Sequence, residues 1–348
     1  MPRSPDAALV RQLARRAARR AARALPGRWA SAGRGERLSW ATAALAALLG
    51  APWLVREGVG SLTAVSQTEA GGALTAAFDQ ADADRLRRDG GSVIVPRGRA
   101  TGRHLGFDTF RYPGEATLRA WKAAGAPYEW VGFYLPAPCH RDASWSGTRE
   151  TIRDLGFGTA VIYVGQQTWG RDPRPTSPAA RRAARLGHTC NADFVHGGRG
   201  AVEGNDAVAR TAAEGFPTGT VVFLDVERME RMPELMRAYY RAWARRLLAD
   251  GRFRPGVYVH AHNAATVHAD FAEEYAAAGL EGTPPVWVAS GRGFTPDKRP
   301  ADVGHAFAGV WQGVLDVVQE HGGVRLPIDV NVAAVPDPSA QYAPAAGE

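Results

Sequence analysis

Cysteine and methionine are scarce in this 348-residue chain, which holds two of the first, Cys139 and Cys190, and four of the second. Two cysteines are too few for a zinc-type cysteine cluster or a disulfide-dense scaffold. In an exported chain such a pair invites one disulfide, so Cys139 and Cys190 are a candidate bond. The chain also lacks a Gly-x-Ser-x-Gly nucleophile elbow and a Walker phosphate loop, the marks of two large enzyme classes. Net positive charge is missing from most of its length. Of the formal +7, residues 1–37 supply +8 (ten arginines against Asp6 and Glu36), so the other 311 residues sum to −1. A domain without a basic face of its own does not read as a nucleic-acid binder.

Residues 38–55 (LSWATAALAALLGAPWLV) are present as the one charge-free apolar run. Its length is near the minimum for a bilayer span. The arginine excess lies upstream, which keeps residues 1–37 cytoplasmic as a basic leader and sends the rest outward. Ala64-Val65-Ser66 is a small-x-small cleavage site far from the apolar run, so an uncleaved anchor is favoured over a cleaved signal. The expected location is the extracellular face of the cell membrane, or secretion if the leader is cut. Residues 56–100 read as a polar linker, 101–335 as one folded domain, and 336–348 as a Pro/Ala-rich disordered tail.

Within 101–335, short β-branched or aromatic runs alternate with Ala-rich helical stretches and Gly/Pro turns. Strands are expected at 104–110, 128–135, 159–165, 220–227, 255–262, 284–290, 307–312 and 326–333. Helices are expected at 114–125, 147–155, 203–215, 233–250 and 264–279. In helix 233–250, Met236, Tyr240, Trp243 and Leu247 form an apolar stripe of helical period. Eight strands alternating with helices predict a parallel sheet closed into a (β/α)₈ TIM-like α/β barrel. An open doubly wound sheet would place a phosphate-binding glycine loop after the first strand, where Arg111-Tyr112-Pro113-Gly114 stands instead. Residues 197–204 (GGRGAVEG) contain a Gly-x-Gly but follow no strand, so they read as flexible loop, at the end of a long insertion spanning 168–199.

Alternate strand residues share a face. In strand 220–227, Val222, Leu224 and Val226 take the outer face, and Asp225 and Glu227 point inward at the C-terminal mouth, where barrels of this kind keep their chemistry. The same alternation turns Asp108 inward on the first strand and Asp329 and Asn331 inward on the last. Four carboxylates then ring one pocket. Like charges so close raise one another's pKa values, which suits a pair in which one acid stays protonated near neutral pH beside an ionised partner. Structural acids, paired with arginines or capping loops, are the plain alternative, and metal binding is a third; closure of the groove by Arg171 or Arg174 of the insertion, or their pairing with Glu227, would argue against catalysis. His260-x-His262 would share a strand face in the manner of some metal sites. No further ligands accompany it, so His260 is taken as pocket lining, and neither a metal nor a cofactor is implied. Tyr134, Tyr258 and Trp287 fall near the expected mouth, where rings could stack on sugars.

Gly106-Phe107-Asp108, the run GNDAVARTAAEGFPTGTVVFLDVE (204–227), and Trp311-Gln312 with Ile328-Asp329-Val330-Asn331 together resemble the glycoside-hydrolase-like domain of secreted actinobacterial proteins, itself similar to the family 25 lysozymes. The resemblance implies a cell-wall glycan substrate with N-acetylated β-1,4 linkages. It implies Glu227 as the general acid, Asp225 orienting the substrate's N-acetyl group, and Asp108 and Asp329 holding sugar and acid. Gln312, Asn331, Tyr134, Tyr258, His260 and Trp287 would line the substrate site. Two departures, Thr109-Phe110-Arg111-Tyr112-Pro113 after the first strand and Gly313 after Trp311-Gln312, keep a non-catalytic glycan-binding or envelope-organising barrel as the alternative.

Overall fold

The computed structural model describes residues 102–340. The leader, the apolar segment and the linker lie outside the described residues, as does 341–348. Among the described residues no helix is long and apolar enough to cross a membrane.

Eight strands close into a barrel in chain order: β1 (His104–Asp108), β2 (Trp130–Tyr134), β3 (Gly158–Tyr163), β4 (Val221–Val226), β5 (Arg254–His260), β6 (Val286–Ala289), β7 (Ala308–His321) and β8 (Val324–Ala333). The helices are α1 (Glu115–Ala123), α2 (Arg149–Asp154), α3 (Pro178–Arg185), α4 (Gly197–Ala213), α5 (Glu234–Asp250) and α6 (Ala261–Ala277). The outward strand residues Val222, Leu224 and Val226 join the apolar layer beneath the helices, to which α5 contributes its expected stripe, Met236, Tyr240, Trp243 and Leu247. Inside the barrel, Trp130, Ile162, Phe223, Trp287 and Val310 form a separate apolar floor. Burial of each large side chain contributes roughly 1.5–3 kcal/mol. Gly106 makes room for this floor, since a Cβ there would lie 2.1 Å from the Trp130 indole.

Three features differ from the sequence expectation. First, the sheet is not wholly parallel. β8 runs antiparallel to both β7 and β1. Only Gly322-Gly323 separates β7 from β8, both at positive φ (58° and 74°). Two residues close a hairpin and cannot carry the crossover that a parallel strand needs. Second, residues 197–204 are not a flexible loop but the first half of α4. Their glycines serve helix packing. A Cβ on Gly200 would meet the Tyr239 carbonyl oxygen at 2.0 Å, and one on Gly204 would meet the Trp243 carbonyl oxygen at 2.9 Å, so α4 and α5 approach backbone to backbone. Third, the chain past Val335 stays ordered to Ala340. Ser339 is buried, its Oγ accepts from the Val161 N–H (2.8 Å) and donates to the Val221 carbonyl (2.7 Å), and Asp337 accepts from the Thr159 N–H (3.1 Å). This segment satisfies the starts of β3 and β4, which a disordered tail would leave bare.

Gly→Ala inside a helix ordinarily stabilises by up to about 1 kcal/mol. Gly200→Ala is expected to reverse that sign and cost about 1–3 kcal/mol through overpacking. Urea unfolding checks it, and a raised midpoint would mean that the helices can part without cost.

Candidate active site

The strand register brings the four expected carboxylates to one end of the barrel. Asp108 closes β1 and pairs in register with Asp329, because antiparallel β8 enters the barrel at its mouth. The reversal sets Asp329 at the level of Asp108 and drops Asn331 one step deeper, beside Gly106 and Gln312. Asp225 lies opposite Tyr258, one residue before the end of β4, and Glu227 follows just beyond the strand.

Asp108 is buried and fully engaged. Tyr134 donates its hydroxyl to Oδ1 (2.7 Å), and Gln312 and Asn331 each donate an amide N–H to Oδ2 (2.9 Å). Gly132 permits this close placement, since a Cβ there would lie 2.5 Å from the Asp108 Cβ. Gln312 also donates to Asp329 Oδ2 (3.2 Å) and accepts from the Tyr258 hydroxyl (2.6 Å). Asp329 Oδ1 accepts from the backbone N–H of Asp316 (2.7 Å), a residue held at φ 50° in the irregular stretch of β7. One network thus joins Tyr134, Asp108, Gln312, Asn331, Asp329 and Tyr258.

Burial raises the Asp108 carboxyl, and the bonds from Tyr134, Asn331 and Gln312 oppose it. Burial, then the charge of Asp108, push Asp225 up to about 7. Glu227 is half-buried, and its carboxyl is held well above its ordinary value by burial and by Asp225. Asp329 is raised by burial, Asp108 and Asp316. Burial and the surrounding carboxylates hold the Tyr134 and Tyr258 phenols far above 10, so both remain donors. Asp225 Oδ1 is buried without a hydrogen-bond partner, an uncommon state for a native carboxylate oxygen.

The other expected residues divide. Trp287 is not at the mouth. It is 1% exposed and packs edge-to-face on Trp130, Phe223 and Tyr258 as barrel floor. His260 and His262 do not share a strand face, because β5 ends at His260. The His260 ring caps α6 by accepting from the His262 N–H (3.1 Å). Among the described residues no group of three or more His, Cys, Asp or Glu could hold a metal ion. Cys139 and Cys190 are disulfide-bonded, with Cα atoms 4.9 Å apart, and tie the loop after β2 to the insertion. Arg171 pairs with Asp193 (3.6 Å), and the Arg174 backbone N–H bonds the same carboxylate (3.1 Å).

Two site residues escaped sequence reasoning. Gln167, fully buried in the loop after β3, donates to the Asp225 carbonyl (2.8 Å) and accepts from the Glu227 N–H (3.3 Å). The Gln166-Gln167 doublet at the end of an apolar run was the available signal. Asp316 had none, because its place depends on the unforeseen hairpin.

A family model described as Rv2525c-like, glycoside hydrolase-like domain matches residues 119–333. No match occurs among curated proteins. Three solved structures show the range of similarity. An uncharacterized protein of B. stearothermophilus is 18% identical, with 66% of this chain and 95% of that chain covered, at a TM-score of 0.45. The Mycobacterium tuberculosis Tat-secreted protein Rv2525c in complex with L-tartrate is 18% identical, with 67% and 95% covered, at 0.39. The modular autolysin LytC from Streptococcus pneumoniae in complex with a synthetic peptidoglycan ligand is 11% identical, with 66% and 46% covered, at 0.42.

The raised carboxyls carry a stability signature. A folded state that holds a proton more tightly than the unfolded chain loses stability as pH rises from the unfolded to the folded pKa. For Asp225 that window runs from about 4 to about 7. The unfolding free energy from urea denaturation is expected to fall across it by on the order of a few kcal/mol, and Asp225→Asn should flatten the fall. Stability rising through the same window in the unsubstituted protein would contradict the placement of these acids.

Proposed function

The chain belongs to the Rv2525c-like family of glycoside hydrolase-like domains, and we propose that it cleaves cell-wall glycan at N-acetylated β-1,4 linkages. The observation that carries the reading is the Asp225/Glu227 pair at the end of β4. Glu227 is half-buried and holds its proton more tightly than an ordinary glutamate, through burial and the charge of Asp225, whereas Asp225 offers a buried acceptor oxygen with no partner. A donor such as an acetamido N–H satisfies that oxygen.

Glu227 gives its proton to the glycosidic oxygen as the C1–O bond breaks. The acetamido carbonyl oxygen of the same sugar forms the new bond to C1, and Asp225 accepts the acetamido N–H and supports the developing positive charge. Water then attacks C1, the bond from C1 to the acetamido oxygen breaks and restores the acetamido group, and the water's proton passes to the Glu227 carboxylate, which restores the acid with net retention. Asp108, Asp329, Gln312 and Asn331 form the polar wall against the sugar, and Tyr134 and Tyr258 hold that wall in place.

Export is proposed from the leader and the apolar segment at 38–55, with the outer membrane face or secretion as the destination. The disulfide supports it, since such bonds persist in oxidising compartments. The M. tuberculosis protein that lends the family its name is Tat-secreted. A non-catalytic glycan-binding barrel is the second reading. It is favoured by the two departures from the lysozyme pattern, Thr109-Phe110-Arg111-Tyr112-Pro113 after β1 and Gly313 after Trp311-Gln312.

Incubation with peptidoglycan and with chitooligosaccharides should release new reducing ends, and Glu227→Gln should lower the rate by at least about 100-fold, in line with loss of a general acid. Mass spectrometry of the products reads this directly. Binding without release by either protein would favour the non-catalytic barrel.

A further inference from the structure

The loop after β3 leaves the sheet one step too early for its neighbour. β3 pairs with β4 only as far as Tyr163 opposite Leu224. Continuing that register would set Gly165 opposite Val226. Gly165 turns away instead, its N–H bonding the Tyr163 carbonyl (3.1 Å) and its Cα packed where a Cβ would meet the Tyr239 hydroxyl at 2.1 Å. In a parallel ladder, the residue opposite Val226 would donate to the carbonyl of residue 225 and accept from the N–H of residue 227. The Gln167 side chain makes those two bonds.

We infer that Gln167 is a positioning residue whose carboxamide stands in for the missing β3 peptide and fixes the backbone from Asp225 to Glu227, held in turn by the disulfide-braced insertion. The brace is continuous. The Cys139 N–H bonds the Val164 carbonyl (3.1 Å). On the other side of the disulfide, Gln166 donates to the Thr189 carbonyl (2.8 Å) and accepts from the Asn191 N–H (2.9 Å), the two residues that flank Cys190. Gln166 further donates to buried Glu203 of α4 (2.7 Å), and its own N–H bonds the Tyr239 hydroxyl of α5 (2.9 Å). Gln167 therefore projects from a turn fixed on three sides. A shift of about 1 Å at reacting groups can cost about 100-fold in rate, so the two bonds matter beyond their contribution to stability. The inference rests on the reading of Asp225 and Glu227 as the reacting pair.

The test uses the full-length protein carrying ¹³C at the glutamate side-chain carboxyl, with the Glu227 signal identified by its loss in Glu227→Gln. Gln167→Met keeps the volume and removes both bonds. It is expected to lower the pH at which Glu227 titrates towards the ordinary glutamate range. Reducing-end release should fall about 10- to 100-fold in kcat with little change in KM. Gln167→Glu keeps the acceptor, loses the donor and adds a charge beside Glu227. It should slow release as well but move the titration upward, a sign that general loosening does not give. If unsubstituted protein shows the raised titration without turnover, the opposite shifts in the two variants still carry the inference. Wild-type titration and rate in both variants would overturn it and leave the glycosidase reading standing. A Glu227 that titrates in the ordinary range in unsubstituted protein, with no release, would overturn that reading and the inference with it.

Discussion

A carboxylate taken out of water must be met by donors or give up its charge, and at Asp108 that requirement organises the barrel mouth. Its donors come from three strands: Tyr134 from β2, Gln312 from β7 and Asn331 from β8. Asp108 can sit among them because Gly132 lacks a side chain. The Asn331 bond also depends on β8 running backwards, which sets Asn331 below Asp329. Burial lifts the Asp225 and Glu227 carboxyls first, and the charges of Asp108 and Asp225 add to it in turn.

Acids elsewhere in the molecule are handled differently. Between α5 and α6, Asp270 is as buried as Asp108. Burial alone would raise its carboxyl, yet the guanidinium of Arg237, the Tyr240 hydroxyl and Arg241 bring it below the ordinary value. Neighbouring Glu274 is paired with Arg241 and Arg245. Such pairs fasten α5 to α6. At the mouth the donors are neutral amides, hydroxyls and peptide N–H groups, and the charges that shift the four acids belong to other acids. The contrast separates acids paired with arginines from acids that face only neutral donors and one another.

Much of this was legible from residue order. Period-two alternation assigned Val222, Leu224 and Val226 to the helices and Asp225 to the interior, because each choice removes apolar or polar atoms from the wrong surroundings. The Met236-to-Leu247 stripe was legible for the same reason. Strand direction was not, since alternation is blind to it. Trp287 was assigned to the mouth because aromatic rings suit both sugars and cores, and sequence spacing does not distinguish them. The α4 glycines read as loop because their partner, the α5 backbone, is distant in sequence. Gln167 was overlooked because its role is to replace a backbone peptide, which leaves no pattern in residue types.

The central claim is that the mouth holds an N-acetylated sugar with its acetamido N–H on Asp225 and its glycosidic oxygen at residue 227. A crystal structure of Glu227→Gln with a bound N-acetylated β-1,4 oligosaccharide tests it most directly. The account predicts an acetamido nitrogen within hydrogen-bond distance of Asp225 Oδ1, and the glycosidic oxygen within reach of the residue 227 amide. A glycan seated away from β4, or one whose acetamido group faces away from Asp225, would contradict it.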